Sequence, residues 1–301
     1  MANGSSLINL GDLSKPATVL IEKISEAIGV IYEPTQIKRI AKAQVEANKI
    51  MAKGDIEINE IQKRALLRSI NEETIRQKNI DNIILNAIPN INVNAKPENI
   101  EIDWISNFFD KCRIVSDSEM QNIWAQILAN EANNPGLFSK RTVNKVGEID
   151  KSDAILFTNL MRFNFHMGNA QPLIFNISDN IYKKAGLTFN SLIYLQDLGL
   201  INFDSLSNFS RDNMSEKFLV LYFDKPIIFR FKDKNRSMNI GKVLLSKIGQ
   251  ELSTIVKTEP IDGFIEFVIE YYGTQGIEII VIKEGMSKKI LEGVGGINIS
   301  K

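Results

Sequence analysis

The sequence has very little cysteine and histidine: Cys112 and His166 are the single copies of these residues among 301. One cysteine excludes an internal disulfide framework and is typical of a reducing compartment. A zinc site with the usual set of His and Cys ligands needs more of these residues than the chain contains. A Cys112–His166 catalytic dyad can be written down, but a buried structural cysteine and an incidental histidine are the commoner arrangement.

The chain also lacks a net charge, a signal peptide and a long apolar run. Lys and Arg total 36, as do Asp and Glu, so no overall field attracts nucleic acid or an anionic membrane. The longest apolar run, around residues 277–282, falls well short of the ~20 residues that span a bilayer. The first residues have no basic region followed by an apolar stretch. We therefore expect a soluble, cytoplasmic protein.

Motifs for phosphate or nucleotide chemistry are missing as well. There is no G-x-x-x-x-G-K-[ST] loop, and the glycine-rich segment 293–296 resembles only part of a dinucleotide fingerprint. No helix is predicted after it, so we expect a flexible tail there. These observations predict a non-enzymatic protein with no catalytic residue, cofactor or metal. An enzyme with a carboxylate-based site is the remaining alternative.

The N-terminal region, residues 1–90, is predicted to be helical and extended. Pro16 begins a helix that Pro34 ends, with one apolar face made of Leu20, Ile24, Ala27, Ile28 and Ile31. We expect this face to pack on the protein's own core. The alternative is an amphipathic element on a membrane, which the non-basic polar face disfavours.

A long run of helix formers follows at residues 35–88, with one predicted break at Gly54-Asp55. Unbroken, about 54 residues at ~1.5 Å each would extend roughly 80 Å, far beyond one small domain. Its apolar positions are too sparse in the middle for a sustained heptad coil. Such a helix needs a folded-back partner or another subunit, so we expect a homo-oligomer.

The central part, residues 100–168, is predicted to be a helical bundle. Ser116 and Glu119 have the spacing of a capping box. The helix after them carries one clear apolar stripe, made of Met120, Ile123, Trp124, Ile127 and Leu128. The run Asn-Asn-Pro-Gly at 133–136 ends this helix. A second helix is predicted from about Ser139 and a third after Asp150, the third burying Ile155, Phe157, Leu160 and Met161.

The same stretch resembles known families. The run M-Q-x-I-W-A-x-I-L-A-x-E at 120–131, followed by P-G-x-F-S-x-R-T at 135–142, resembles a bacterial family of unknown function. The chain shares with it the elements K-P-A-T (15–18), A-I-G…Y-E-P (27–34) and R-Q-x-N-I (76–80). The tryptophan-containing core and the Asp-Ala pair at 153–154 are more distantly similar to the Abi-alpha abortive-infection family. That second resemblance implies a role in bacterial defence against phage.

Polar residues of the central motif, which we expect to be exposed, are the candidate contacts with a partner protein or a phage-derived trigger: Gln121, Gln126, Glu131, Ser139, Arg141 and Thr142. In the structural alternative, Met120 and Trp124 fill the core while Arg141 satisfies helix-end carbonyls or pairs with Glu131. We expect the core role for Trp124, and both interpretations of Arg141 stay open.

The C-terminal part, residues 169–301, is predicted to be a winged-helix-like α+β domain with a flexible tail. Short helices are expected at 179–185 and 189–197, and strands at 218–223 and 227–231. The run L-S-x-x-G-x-E-L at 245–252 then leads into another helix. A last helix near 262–272 and a last strand near 277–283 complete the prediction. The fold class is therefore mainly α, with an α+β domain at the C-terminal end.

A winged helix raises the question of DNA binding. The predicted recognition helix, 189–197, has no Arg or Lys, and only Asn190 and Gln196 have side chains suited to reading bases. Lys183 and Lys184 precede it and are candidate phosphate or partner contacts, but two lysines give weak affinity for nucleic acid. We therefore expect a protein-binding or dimerisation module. A DNA-binding regulator is the alternative.

Overall fold

A computed structural model describes residues 13–29, 60–232 and 236–282. The chain divides into two compact units, Met1–Glu148 and Ile149–Lys301. The described part of the first unit is helical, and the second unit contains the β-sheets, as predicted. The predictions for Ile31, Pro34, residues 35–59 and the segment 293–296 lie outside the described residues.

Five helices make up the described part of the first unit: α1 (Lys15–Ile28), α2 (Glu60–Ala87), α3 (Ile102–Cys112), α4 (Ser118–Asn133) and α5 (Lys140–Val146). Two 3₁₀ turns, Ile88–Asn90 and Pro97–Asn99, connect α2 to α3. Helix α1 packs against α3, α2 against α4, and α3 against α5. The unit is therefore held together by pairs of helices that are distant in sequence.

Helix α1 docks on the core of its own unit. Its buried side chains are those of Ala17, Leu20, Ile21 and Ile24. The Lys23 ammonium donates to the carbonyl oxygens of Glu98, at 2.6 Å, and of Ile100. The helix ends at Gly29, whose φ of 67° is left-handed and whose N–H donates to the Ser25 carbonyl. Helix α1 therefore ends at a glycine cap, before the predicted end at Pro34, which lies outside the described residues.

Aromatic rings fill the core between α3 and α4. Trp104 stacks on Phe108, with ring centroids 5.1 Å apart, and Phe108 meets the ring of Trp124 edge to face. The indole N–H of Trp104 donates to the carbonyl of Phe138 at 2.7 Å. Trp124 is fully buried, as expected. The predicted stripe of α4 is thus its core face.

The start of α4 differs from the prediction by one residue. The N-cap is Asp117, whose Oδ1 accepts hydrogen bonds from the backbone N–H groups of Glu119 and Met120. The hydroxyl of Ser116 instead accepts from the side chain of Asn79. A carboxylate and a hydroxyl both suit a cap, and local spacing alone did not distinguish them. The helices after Ser139 and Asp150 begin where predicted.

The second unit begins with α6 (Lys151–Met161) and combines helices with antiparallel sheets. Its other described helices are α7 (Asn180–Lys183), α8 (Phe189–Asp197), α9 (Lys247–Ser253) and α10 (Phe264–Gly273). The strands are β1 (Asn164–Met167), β2 (Asn169–Pro172), β3 (Ile201–Phe203), β4 (Phe209–Arg211), β5 (Lys217–Tyr222), β6 (Lys225–Phe231), β7 (Met238–Gly241), β8 (Val243–Leu245) and β9 (Ile277–Val281). They form a sheet of order β2-β1-β5-β6-β9 and the pairs β3-β8 and β4-β7.

Helix α6 lies in the second unit, whereas the sequence grouped it with the central bundle. It packs on α8, and the Tyr194 hydroxyl of α8 donates to the Asp153 carboxylate at 2.9 Å. Ile155 on α6 is 51% exposed, so its predicted burial is wrong. Helical spacing gives a stripe but not the neighbour that covers it. Phe157, one turn after Asp153, is buried, whereas Ile155 is not.

Candidate interaction surface

Helix α2 changes character along its length. Its buried residues all lie in the last third of the helix: Asn79, Ile80, Ile83, Ile84 and Ala87. Residues 60–78 contain no buried side chain. At ~1.5 Å per residue these 19 positions extend roughly 28 Å. Four large apolar side chains in this segment are exposed: Ile61 (70%), Leu66 (38%), Leu67 (38%) and Ile75 (55%).

Three neighbouring side chains form an apolar stripe on this segment of α2. Leu66, Leu67 and half-buried Ile70 fall on one side of the helix, because positions three and four apart are neighbours. At roughly 100° per residue, the mean direction of this apolar stripe is rotated by roughly 110° from the buried face of α2. The contacts that bury the C-terminal third of α2 therefore do not cover the apolar stripe.

Buried side-chain amides fix the C-terminal third of α2 on α4. The amide of Gln121 donates to Oδ1 of Asn79 at 3.1 Å and to the carbonyl of Val115 at 2.9 Å. Asn79 in turn donates to the carbonyl of Arg113 at 2.9 Å. The amide of Asn82 reaches Oε1 of Gln121 at 3.4 Å. Because each buried polar group needs its partner, this network specifies one register between the helices.

The sequence contains a signal for this network, which the spacing of apolar residues does not reveal. Asn79, Asn82, Asn86 and Asn90 recur at intervals of three, four and four residues, which places them along one side of the chain. The amide of Asn86 donates to Asn122 of α4 at 3.1 Å. Helical spacing of asparagines is therefore the feature that marks where α2 meets α4.

The second half of the central motif builds the loop between α4 and α5. The Glu131 carboxylate accepts hydrogen bonds from the backbone N–H groups of Gly136, at 2.6 Å, and Phe138, at 2.9 Å. Ser139 caps α5 by accepting from the N–H of Thr142. The motif E-x-x-x-P-G-x-F-S therefore has a structural role, because its glutamate binds the amides of its own loop.

The predicted contact residues of the motif fall into two groups. Gln121, Glu131 and Thr142 are buried, with exposed fractions of 4%, 2% and 0%. The expectation that these three are exposed is wrong, because the amide network, the loop and the helix cap enclose them. Gln126 and Ser139 are half-buried, and Arg141 is exposed. In the second unit, Lys183 and Lys184 are exposed at the end of α7.

Cys112 and His166, whose side chains are of types that bind metals, both lie in the part of the chain that the structure describes. Within it, no cluster of three or more His, Cys, Asp or Glu residues is placed to hold a metal ion. Cys112 is fully buried, and desolvation raises the pKa of its thiol well above the ordinary value. A protonated thiol is a poor nucleophile. His166 is exposed on β1.

Each unit has a shallow pocket. The pocket of the first unit, about 250 Å³, is lined by Arg76, Arg113, Glu73 and Asp110 among others. Its charges are already paired, Arg113 with Asp110 at 2.9 Å and Arg76 with Glu73. The pocket of the second unit, about 200 Å³, includes His166. A typical ligand site is instead mostly apolar, with a few polar groups free to bind the ligand.

The fold defines a two-unit protein, helical in its first unit and α+β in its second. The chain belongs to the family described as protein of unknown function (DUF2806), whose model matches residues 63–269. The matched range includes the R-Q-x-N-I element at 76–80 and the central motif, and begins after the elements at 15–18 and 27–34. No curated protein and no solved structure matches the chain significantly. Among the described helices, none combines the length and apolar character needed to cross a membrane.

Proposed function

We propose that this protein is a non-enzymatic interaction protein that assembles with copies of itself through the apolar stripe of α2. The observation that carries the proposal is the 60–78 segment, a helix without a buried side chain but with exposed Ile and Leu residues. Most of the stability of a helix in a protein comes from packing of one of its faces, and no side chain of this segment is buried in the described structure. Burying the apolar side of this segment in an assembly would stabilise the helix, and it would also remove apolar surface from water.

The size of the apolar stripe sets the strength of the association. Three side chains from each copy, at about 1.5 kcal/mol each, contribute roughly 9 kcal/mol. The loss of translational and rotational freedom opposes this by about 4–15 kcal/mol. We therefore expect reversible association, with a dissociation constant of about 0.2 mM or weaker from the apolar stripe alone. A larger assembly would need additional contacts.

Light scattering after size exclusion tests the proposal, with samples from about 1 µM to about 1 mM to bracket the expected affinity. The mean mass should rise with concentration, and the double substitution Leu66→Glu with Ile70→Glu should leave a monomer throughout. Leu206→Glu is the matched control, because Leu206 is 94% exposed and lies in the second unit. A wild-type protein that stays monomeric over the whole range contradicts the proposal.

The second unit supports a finer proposal, that it is a winged helix with an insertion. Helices α6, α7 and α8 are followed by β3, which pairs antiparallel with β8. Strand β2 lies beside β8, and the amide of Gln171 donates to the carbonyl of Val243 at 2.8 Å. This gives the order β2-β8-β3 expected of a winged helix, with β4 to β7 inserted between β3 and β8. An experimental structure of residues 149–301 without this strand order would contradict it.

Within this proposal, the unit binds protein in preference to DNA. Helix α8 carries no basic side chain. Of its two candidate base-reading residues, Gln196 accepts a hydrogen bond from the backbone N–H of Phe203 at 2.7 Å. Exposed apolar surface at Phe189 (47%) and Tyr194 (46%) favours a protein partner. Fluorescence anisotropy with labelled duplex is the test, and salt-dependent binding would instead support the DNA-binding alternative.

The distant resemblance of the tryptophan-containing core to Abi-alpha proteins supports a role in defence against phage, acting in the bacterial cytoplasm. Plating efficiency of a phage panel on cells with the wild type and with the Leu66→Glu, Ile70→Glu variant tests it, and equal plating with and without the protein contradicts it.

The membrane-perturbing alternative would use α1, whose apolar face is buried within its own unit. Flotation with anionic liposomes tests that alternative.

A further inference from the structure

The exposed segment of α2 is nearly self-complementary when it is read in opposite directions about Arg68. Reflection about this residue pairs each charged residue of the segment 60–76 with one of opposite sign: Glu60 with Arg76, Lys63 with Glu73, and Arg64 with Glu72. The same reflection pairs Ile61 with Ile75 and Leu66 with Ile70, all of them large and apolar. Two residues are exceptions: Leu67 falls opposite Ser69, and Arg68 falls on the point of reflection.

Two of these charged residues flank the apolar stripe of α2. Lys63 lies seven residues before Ile70, and Glu73 lies seven residues after Leu66, so both are on the same side of the helix as the stripe. Both are exposed. Oppositely charged residues beside an apolar contact determine which partner and which orientation are favoured.

The two Arg68 side chains of a pair would not repel each other across the contact, because of where Arg68 lies on the helix. It lies two residues before Ile70, at roughly 200° around the helix, and therefore on the side away from the apolar stripe. Its guanidinium Nε is 3.5 Å from the carboxylate of Glu72 in the same helix. When the apolar stripe is the contact face, the two Arg68 side chains of a pair point outward, each beside its own Glu72.

We infer that two copies of the protein pair their α2 helices antiparallel, about a twofold axis near Arg68. This inference rests on the proposed self-association and specifies its geometry. In the antiparallel arrangement Leu66 of one copy packs on Ile70 of the other, and Lys63 pairs with Glu73 twice, once on each side of the axis. A parallel arrangement in register places every one of these charges beside its like, which is unfavourable. The interface is isologous, as twofold dimers require.

Distances between spin labels distinguish the two orientations. Gln62→Cys and Ser69→Cys suit the labels, because the two exposed positions are seven residues apart and so lie on the same side of α2. About an axis at residue 68, the two copies of residue 62 are separated by about 18 Å along the helix, and those of residue 69 by about 3 Å. The label distance should therefore be clearly longer for Gln62→Cys. Wild-type protein, whose Cys112 is buried, is the labelling control.

The outcomes separate the geometry from the function. A dimer with equal distances at the two positions would show a parallel pair, which overturns the antiparallel inference and leaves self-association standing. A protein that is monomeric in light scattering at the labelling concentration overturns both. Two distinct distances in the predicted order support both.

Charge reversal gives a second, independent test. Lys63→Glu should weaken the association about tenfold, because two ion pairs per dimer become repulsive contacts. Adding Glu73→Lys should restore it, since the reversed charges again face opposite partners. Lys78→Glu is the matched control, because Lys78 is exposed and lies outside the reflected segment. A double variant as weak as Lys63→Glu alone would overturn the pairing.

Discussion

The side-chain amide of Gln121 donates to Oδ1 of Asn79 at 3.1 Å, and both side chains are buried between α2 and α4. This bond connects the helix that carries the exposed apolar stripe to the central helix of the first unit. Because an unmatched polar group is unfavourable in the interior, the two helices have one favoured register. A buried amide pair and the apolar residues beside it therefore fix how the C-terminal third of α2 packs on α4.

Replacing Asn79 with Leu should destabilise the first unit by about 1–3 kcal/mol, because Gln121 loses a buried partner. Urea unfolding of the full chain measures the change. Asn122→Ala is the control and should change stability by less than about 0.5 kcal/mol, because its hydrogen bond to Asn86 is exposed. Adding Gln121→Leu to Asn79→Leu should destabilise less than the sum of the single variants. Simple additivity would contradict a coupled pair.

Glu131→Ala should destabilise the first unit by about 2–3 kcal/mol, because two backbone N–H groups of the loop lose a charged acceptor. Glu131→Gln should recover part of this, since its amide oxygen still accepts a hydrogen bond. Chemical denaturation monitored by tryptophan fluorescence suits the measurement, because Trp104 donates to the same loop at Phe138. Exposed Arg141→Ala is the comparison. Equal losses for Glu131→Ala and Arg141→Ala would refute the structural role of Glu131.

Cys112 should resist alkylation in the folded protein. Burial raises the pKa of its thiol well above the ordinary value, so at about pH 8 the folded state holds the protonated, unreactive form. Unfolding removes the desolvation and returns the pKa to the ordinary range, so the thiol should react quickly in denaturant. Thiol titration with and without urea measures both rates. Fast reaction of the native protein would show that the thiol is accessible.

Gly249→Ala should destabilise the second unit by more than about 2 kcal/mol through overpacking. A Cβ atom at this position would lie 2.1 Å from the carbonyl oxygen of Leu200, and backbone cannot move aside easily. The control is Gly273→Ala at the end of α10, where a Cβ meets nothing within 4 Å. Thermal unfolding of the two variants should differ clearly. Similar melting temperatures would contradict the close approach of α9 to Leu200.

Several elements of the second unit follow from local pattern alone. The predicted helix 189–197 is α8 with the same bounds, and Gly199 adopts the left-handed conformation expected after a helix. The predicted strands 218–223 and 227–231 agree with β5 and β6 to within two residues at each end. These features depend on capping and turn chemistry, which act over a few residues.

The core of the second unit could not be predicted in this way. Phe163 and Phe165, near β1, meet Phe264 of α10 at centroid distances of 4.9 and 6.1 Å. These rings come from segments about 100 residues apart. Spacing within one segment shows that a residue faces inward, but not which ring it will meet there.

By itself, the sequence determined the described helices and the strands β5, β6 and β9, but not the shorter strands such as β1 to β4. Hydrogen bonding and side-chain spacing in the predicted elements act between near neighbours. Tertiary structure alone decided which polar residues are enclosed. Gln121 and Glu131 have the same side chains as any surface amide or carboxylate. Gln121 is buried because α2 packs over it, and Glu131 is buried because the loop before α5 folds around it. The same holds for α2, whose apolar residues are covered where α4 meets the helix and exposed where it does not. For Gln121 and the buried residues of α2, burial depends on a helix about 40 residues away in sequence, and local periodicity does not identify that neighbour.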